Sequence, residues 1–433
     1  MPDLPDKPRG RQRDSCARRM RFGLAAFLFL LPFVALLTGC APTRLFDAAL
    51  VLLDLAALDN PSRLKQTTET PRRLPLTYIV EGRSHSADLY LPGTLDTCGP
   101  EEGEQAGAGS ARGQHCPRAA IVVVPGAVPQ GKDDPRLVAF ATTLARVGFA
   151  VLTPDLTGFR QLRIRPSDSR EIADAFAYLA GRPELAPEGR AGLFAFSYAV
   201  GPALLAALEE DIREQVRFVV GLGGYHDLVG AMRFFTTGWY EHEGRWHYTT
   251  PDDTGRMVLV YSSLDYLEGG RQDSPLSDRS IFDQMVALRL RSPQADLSQP
   301  AAGLSDSGQT LYALAVNSDP ERFPTLFARL PETMRADIEL LNLARHDLQP
   351  LKAQLILVHG RNDNLIPYPE SLALAAAVPE GQARVFLIHQ VLGHVDLNIA
   401  ALFSWRFWSE EIPDLWRLWR VIDLLLAQRA ETP

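Results

Sequence analysis

The spacing of hydrophobic positions changes along the chain, and each change predicts an element. Arg44 to Leu58 is dense in Leu, Val and Ala, with Asp47 and Asp54 on a helical period. This predicts an amphipathic helix that either packs on the body of the protein or lies on a membrane. A polar linker, Asp59 to Arg73, separates it from the next apolar segment. Leu76 to Val80 and Ala87 to Leu91 flank a turn at Gly82 and predict an antiparallel hairpin. Ala119 to Val124 is a continuous apolar run, the pattern of a strand covered on both faces. Asp134 as N-cap and Pro135 at the first helical position open a helix to Val147 that stops at Gly148. Phe149 to Thr153 predicts the next buried strand. A helix from Asp168 to Ala180 starts with a capping-box spacing, Asp168 to Glu171, and ends at Gly181. Ala191 to Phe196 predicts a strand, Tyr198 to Leu208 a helix, and Arg217 to Leu222 a strand.

From Tyr225 to about Gln349 the alternation stops, and helical patterns such as Ser280 to Arg291 and Glu332 to Leu348 are joined by Pro-, Gly- and Ser-rich segments. Strand and helix signals resume with Gln354 to Val358, Glu370 to Ala377, Arg384 to Ile388 and a helical tail from Val395. The repeated βαβ pattern predicts an α/β fold, a mostly parallel sheet with helices on both faces, carrying a largely helical cap insertion. The chain accordingly divides into 1–39 leader, 40–75 anchor, amphipathic helix and linker, 76–224 first part of the core, 225–349 cap, and 350–433 second part of the core with a C-terminal helix.

The amino terminus adds an address. Arg9, Arg11, Arg13, Arg18, Arg19 and Arg21 precede an apolar stretch, Phe22 to Leu37, that is short for a bilayer span and broken by Pro32. This is a signal-peptide layout. Leu37-Thr38-Gly39-Cys40 resembles the lipobox of bacterial lipoproteins, and the resemblance implies that Cys40 receives diacylglycerol and becomes the first residue. Ala41 stands where an inner-membrane retention signal has Asp, which implies an outer-membrane location facing the periplasm. The alternative is an uncleaved anchor helix; both tether the protein to a membrane. Met20 starts a compact signal by itself, so the start codon stays open between Met1 and Met20.

Of the four cysteines, Cys16 lies in the leader and Cys40 in the lipobox. Cys98 and Cys116 flank a Gly-, Glu- and Ala-rich stretch, where a disulfide would close a surface loop in an oxidising compartment and two free thiols are the alternative. The 433 residues, 46% hydrophobic and 22% charged, are those of a globular protein and exclude disorder as the main state. A net charge of -8 and the absence of a Lys/Arg run interleaved with aromatics argue against a nucleic-acid partner.

The candidate chemistry centres on Gly192-Leu-Phe-Ala-Phe-Ser197-Tyr-Ala-Val-Gly201, which places a serine between a buried strand and a helix with Ala195 and Ala199 two positions either side. A tight strand-to-helix turn leaves no room for larger flanking side chains. Here the chain resembles the α/β-hydrolase superfamily, with Ala at both flanks where Gly is usual, over Leu76 to the C-terminus less the insertion. The resemblance implies Ser197 as nucleophile, with an acid and then a histidine base following in chain order. Asp363, in His359-Gly-Arg-Asn-Asp-Asn-Leu-Ile-Pro367, resembles the acid, and His394, after the last strand, resembles the base. Asp227 competes as acid; His389 and His359 compete as base; Asp155 reads as a turn residue. The oxyanion hole is expected from the backbone N–H groups of Tyr198 and of Ala127 in the loop Pro125-Gly126-Ala127-Val128.

No cofactor or metal is implied. Glu241-His242-Glu243 and His247 are ligand types without zinc spacing and read as a solvated loop. Trp405, Trp408, Trp416 and Trp419 recur near helical spacing and read as a C-terminal helix on the core, with a bilayer interface as the alternative. The expected activity is hydrolysis of carboxylic esters, small-molecule or lipid, through an acyl-enzyme. Acyl transfer or peptide cleavage by the same triad, and a non-catalytic envelope lipoprotein with this fold, are the rivals.

Overall fold

The computed structural model describes residues 42–58, 60–93, 117–267, 277–292, 294–389 and 412–429. Cys40, Cys98, Cys116 and His394 lie outside these residues, as do Trp405 and Trp408. In chain order come α1 (Pro42–Ala57), β1 (Arg72–Val80), β2 (Arg83–Leu91), β3 (Ala119–Val124), α2 (Pro135–Arg146), β4 (Phe149–Pro154), α3 (Ser167–Ala180), β5 (Ala191–Phe196), α4 (Val200–Leu208) and β6 (Val216–Leu222). Next are α5 (Leu228–Thr237), β7 (Trp239–His242), β8 (Arg245–Tyr248), α6 (Asp253–Ser263), α7 (Asp278–Arg291), α8 (Asp306–Ala315) and α9 (Glu332–Leu341). The chain then adds β9 (Gln354–Gly360), α10 (Pro369–Ala377), β10 (Ala383–Ile388) and α11 (Ile412–Leu426).

Eight strands form one sheet in the order β1-β2-β4-β3-β5-β6-β9-β10. Only β2 runs against its neighbours; the other pairs are parallel. Parallel strands need crossovers, which put helices on both faces and require apolar side chains on both sides of each strand. β3 and β4 accordingly have every residue buried. Helices α1, α2 and α11 cover one face, where Leu45, Val51, Leu144 and Leu425 meet Val123, Phe149 and Phe218. Helices α3, α4 and α10, together with the segment between β6 and β9, cover the other through Ile172, Phe176, Leu204, Leu311 and Leu374.

Local signals explain most boundaries. Glu81 and Gly82 both have positive φ, 48° and 81°, in the two-residue turn that brings Val80 opposite Arg83. Asp134 accepts a hydrogen bond from Arg136 N at 2.8 Å, and Gly148 at φ 93° turns the chain out of α2 into β4. The expected capping box of α3 does not form. Its Asp168 accepts instead from Arg165 N at 2.8 Å, because the helix begins a residue earlier after Pro166.

Helix α1 docks on the body through one face. Arg44 pairs with Asp423 at 2.7 Å, Asp47 with Arg429 at 2.9 Å, and Trp419 Nε1 donates to Leu45 O at 3.0 Å. Asp54 is buried and accepts from Thr143 Oγ1 at 2.7 Å and from Ser62 Oγ, tying α1 to α2 and to the linker.

The segment between β6 and β9 adds no strand to the main sheet. It leaves and rejoins the core at one neck. Ala344 N donates to His226 O at 3.0 Å, Leu228 N to Asn342 Oδ1 at 2.9 Å, and Tyr225 OH to Leu341 O at 2.9 Å. The helix expected over Glu332 to Leu348 stops at Leu341, since Asn342 turns its side chain to this neck. Residues 239–248, expected as a solvated loop, form the hairpin β7–β8 with Glu243 and Gly244 at positive φ in its turn.

Replacing Asp54 by Ala strands the Ser62 hydroxyl in a buried joint and should cost about 1–3 kcal/mol in urea unfolding. Leu53→Ala, one position away but 60% exposed, should stay within ~0.5 kcal/mol of the parent.

Candidate active site

Ser197 ends β5, which lies between β3 and β6 inside the sheet. Its φ is 55°, the left-handed region that residues with a side chain seldom enter. One 3-10 turn, Ser197–Ala199, then leads into α4. Ala195 and Ala199 are fully buried, so the sharp turn fills its flanks with the smallest side chains available. At Gly201 a Cβ would overlap the Tyr225 hydroxyl, which is why the first turn of α4 can sit so close to the neck. The serine is thereby presented, half-buried, at the carboxyl edge of the sheet and at the positive end of a helix.

Asp363 follows β9 at the same edge. β5 and β9 are separated only by β6, so their ends lie about 10 Å apart, a gap that one imidazole hydrogen-bonded at both nitrogens can bridge. Asp363 Oδ1 accepts from Leu365 N at 2.8 Å and Ile366 N at 3.0 Å, which fixes the carboxylate in its loop. His359 supports the same loop from below. It is fully buried, with Nδ1 2.7 Å from Ser371 Oγ, Nε2 2.9 Å from Ile366 O and Nε2 3.2 Å from Asp363 Oδ2.

The loop after β3 reaches the serine. A Cβ on Gly126 would stand 3.6 Å from Phe196 O and 3.7 Å from Ser197 Cβ, so this backbone borders Ser197 with Ala127 half-buried beside it. Tyr198 N lies at the start of the turn, and its side chain is locked inward. The ring packs on Phe159 at 5.4 Å and Tyr225 at 6.0 Å, and its hydroxyl reaches Asp168 Oδ2 at 3.4 Å. Burial raises the Tyr198 phenol well above its ordinary range and pushes the Asp168 carboxyl up to about 7.

The other candidates have local duties. Asp227 caps α5 through Val229 N at 3.1 Å and accepts from Asn342 Nδ2 at 3.1 Å. His389 binds Asp414 through its backbone N at 2.7 Å and Nδ1 at 3.2 Å, and Asp155 pairs with Arg160. Among the described residues, no group of three or more His, Cys, Asp or Glu could hold a metal ion.

Three further features of this region arise from tertiary packing. Glu370 accepts from His226 N at 2.9 Å and Asp227 N at 2.7 Å, joining the neck to the helix just after the Asp363 loop; burial lifts its carboxyl to about 7. The β7–β8 hairpin leans on the end of the Asp363 loop, with His242 packed edge-on against Tyr368 at 5.4 Å. A cleft of about 350 Å³ lies between Arg163–Ser167 of the core and Ser262, Asp265, Tyr266 and Asp337 of the insertion. Neither Ser197 nor Asp363 lines it.

No protein-family model and no curated protein matches the chain. Solved structures similar to it include a dienelactone hydrolase from Anabaena variabilis ATCC 29413, at 14% identity over 84% of this chain and 100% of that one, with a TM-score of 0.39. A 2,6-dihydroxy-pseudo-oxynicotine hydrolase shows 14% identity over 84% and 71%, with a TM-score of 0.41. A puromycin hydrolase shows 15% over 83% of this chain and 39% of its own, with a TM-score of 0.44. Likenesses at this level bear on neither activity nor substrate. The mostly parallel α/β-hydrolase sheet, with helices on both faces, rests on the strand order and connections described above.

Strain at the serine and burial at Asp168 both act on stability. Ser197→Gly, which removes the Cβ from a left-handed position, should gain up to about 1 kcal/mol in urea unfolding, while Ser197→Ala keeps the strain and should not. The Asp168 carboxyl, at about 7 in the fold against about 3.9 unfolded, keeps a proton that the unfolded chain releases. Stability should therefore fall as pH rises from about 4 to about 7 and level off above. Asp168→Asn should flatten that slope by up to about 4 kcal/mol, read from unfolding curves across the range.

Proposed function

We propose that the chain is a serine hydrolase that cleaves carboxylic esters through Ser197, His394 and Asp363. The observation that carries this reading is the strained φ of Ser197 at the edge of an inner strand, since such strain persists where a site uses it. A serine hydroxyl is a weak nucleophile near neutral pH and needs a base. In the proposed cycle His394 takes the Ser197 proton as Oγ attacks the ester carbonyl, and Asp363 holds the imidazole in the productive tautomer and balances its charge. The oxyanion is met by the N–H groups of Tyr198 and Ala127. Collapse expels the alcohol, which takes the proton from His394, and water then hydrolyses the acyl-enzyme by the same steps in reverse.

The place of action belongs to the same proposal. Lipidation at Cys40 would tether the mature chain in the cell envelope, at the outer membrane facing the periplasm, where lipids, acylated glycans or imported esters are available. The insertion between β6 and β9 would act as the cap that shapes the acyl or alcohol pocket.

A fluorophosphonate probe should label the folded wild type and leave Ser197→Ala unlabelled; equal labelling of both would refute the assignment. Asp363→Asn should lower kcat on a p-nitrophenyl ester roughly 10³–10⁴-fold with its fold intact by circular dichroism. Product analysis over esters of graded chain length separates the rivals: acyl transfer requires a second substrate, and a peptidase releases an amine.

A further inference from the structure

Helix α1 carries apolar side chains on its outer face as well as on the face that buries Leu45, Ala48 and Val51. Its charged residues Arg44, Asp47 and Asp54 are spent on Asp423, Arg429 and the Thr143–Ser62 joint. The outward side is led by Phe46 and Leu53, two turns apart, and is flanked by half-buried Ala49, Leu50 and Ala57, the first two of which also touch the core. Phe46 is 61% and Leu53 60% exposed, whereas a surface helix of a soluble domain turns polar residues outward. Trp416, 44% exposed, extends the surface: it stacks on Trp419 at 4.7 Å, the residue whose indole N–H holds Leu45 O in the first turn of α1. Tryptophan is a side chain that favours the boundary between water and acyl chains.

The chain itself indicates what covers this face. Between the apolar run that ends at Leu37 and the start of α1 at Pro42 stand only Thr38, Gly39, Cys40 and Ala41. A stretch of that length reaches at most about 14 Å, little more than one helix diameter. Whether the tether is acylated Cys40 or the apolar run, the start of α1 is held that close to the bilayer.

We propose that the outward stripe of α1, with Trp416 beside it, seats in the bilayer interface next to the tether. The protein then lies on the membrane in one orientation rather than swinging from a linker. This rests on the tether proposed above and is independent of the hydrolase reading. A helix about 24 Å long with an apolar outward side is suited to lying in the plane of the interface.

The test uses the full chain reconstituted in phosphatidylethanolamine–phosphatidylglycerol vesicles whose acyl chains are dibrominated. Leu53→Trp adds a reporter at an exposed position, and Val316→Trp, at a residue 49% exposed in the insertion, is the control. Difference emission against wild type should be blue-shifted and quenched at least twofold by bromolipid for the α1 reporter, and unquenched for the control. Protein that floats with the vesicles while the α1 reporter stays unquenched overturns the docking and leaves the tether standing. Failure to float overturns both. A blue-shifted but unquenched α1 reporter in a sedimenting dimer assigns the face to a second copy; in a monomer it assigns the face to the leader.

Discussion

Holding a side-chain-bearing residue at positive φ costs about 1–2 kcal/mol, and at Ser197 the surroundings are arranged around that cost. β5 is flanked by β3 and β6, so its end cannot slide to relieve the turn. Ala195 and Ala199 leave the chain room to reverse, and Gly201 lets α4 approach Tyr225. The Tyr225 hydroxyl is bonded in turn to the end of α9, so the turn, the helix behind it and the neck of the insertion brace one another. Tyr198 completes the arrangement by anchoring its ring below the edge, which leaves its backbone N–H beside the serine.

Much of this was legible from residue spacing because the buried elements obey strong rules. The apolar runs within Ala119–Val124 and Gln354–Val358 became inner strands, and Asp134-Pro135 started its helix as the cap chemistry demands. The departures fall where tertiary partners decide. The β7–β8 hairpin has four-residue strands carrying His, Glu and Arg, too short and too polar for a period-two signal; only the Glu243-Gly244 turn pair marked it. Asn342 ends α9 because its amide serves Leu228 and Asp227, more than a hundred positions away. Glu370, which the pattern places at the start of an ordinary helix, gained its role from the neck. For the site, Ser197 and Asp363 are marked by their positions after strands, whereas the strain at the serine arises only once the turn is packed between its neighbours.

Buried carboxylates act as the joints of this molecule. Asp174 gathers Arg83, His85 and Arg170 and fastens β2 to α3; Asp88 gathers Arg73 and Lys132; Asp54 fastens α1 to α2. Each is buried with its oxygens matched by donors, the condition under which a buried charge is tolerated. Asp168 has fewer donors, the Arg165 N–H and the Tyr198 hydroxyl, and there, as at Glu370, burial lifts the carboxyl toward neutrality. The sheet is thus pinned at its periphery by paired carboxylates, while Asp168, beside Tyr198, carries a carboxyl that burial raises to about 7.

The neck has a further consequence. A segment of more than a hundred residues departs and returns at adjacent points joined by a few hydrogen bonds, while its own side chains, Leu311 among them, share the core on that face of the sheet. Length changes inside such a loop alter closure entropy only logarithmically. Length can therefore vary in those stretches of the segment that share no core with the sheet, at little cost to the edge bearing Ser197.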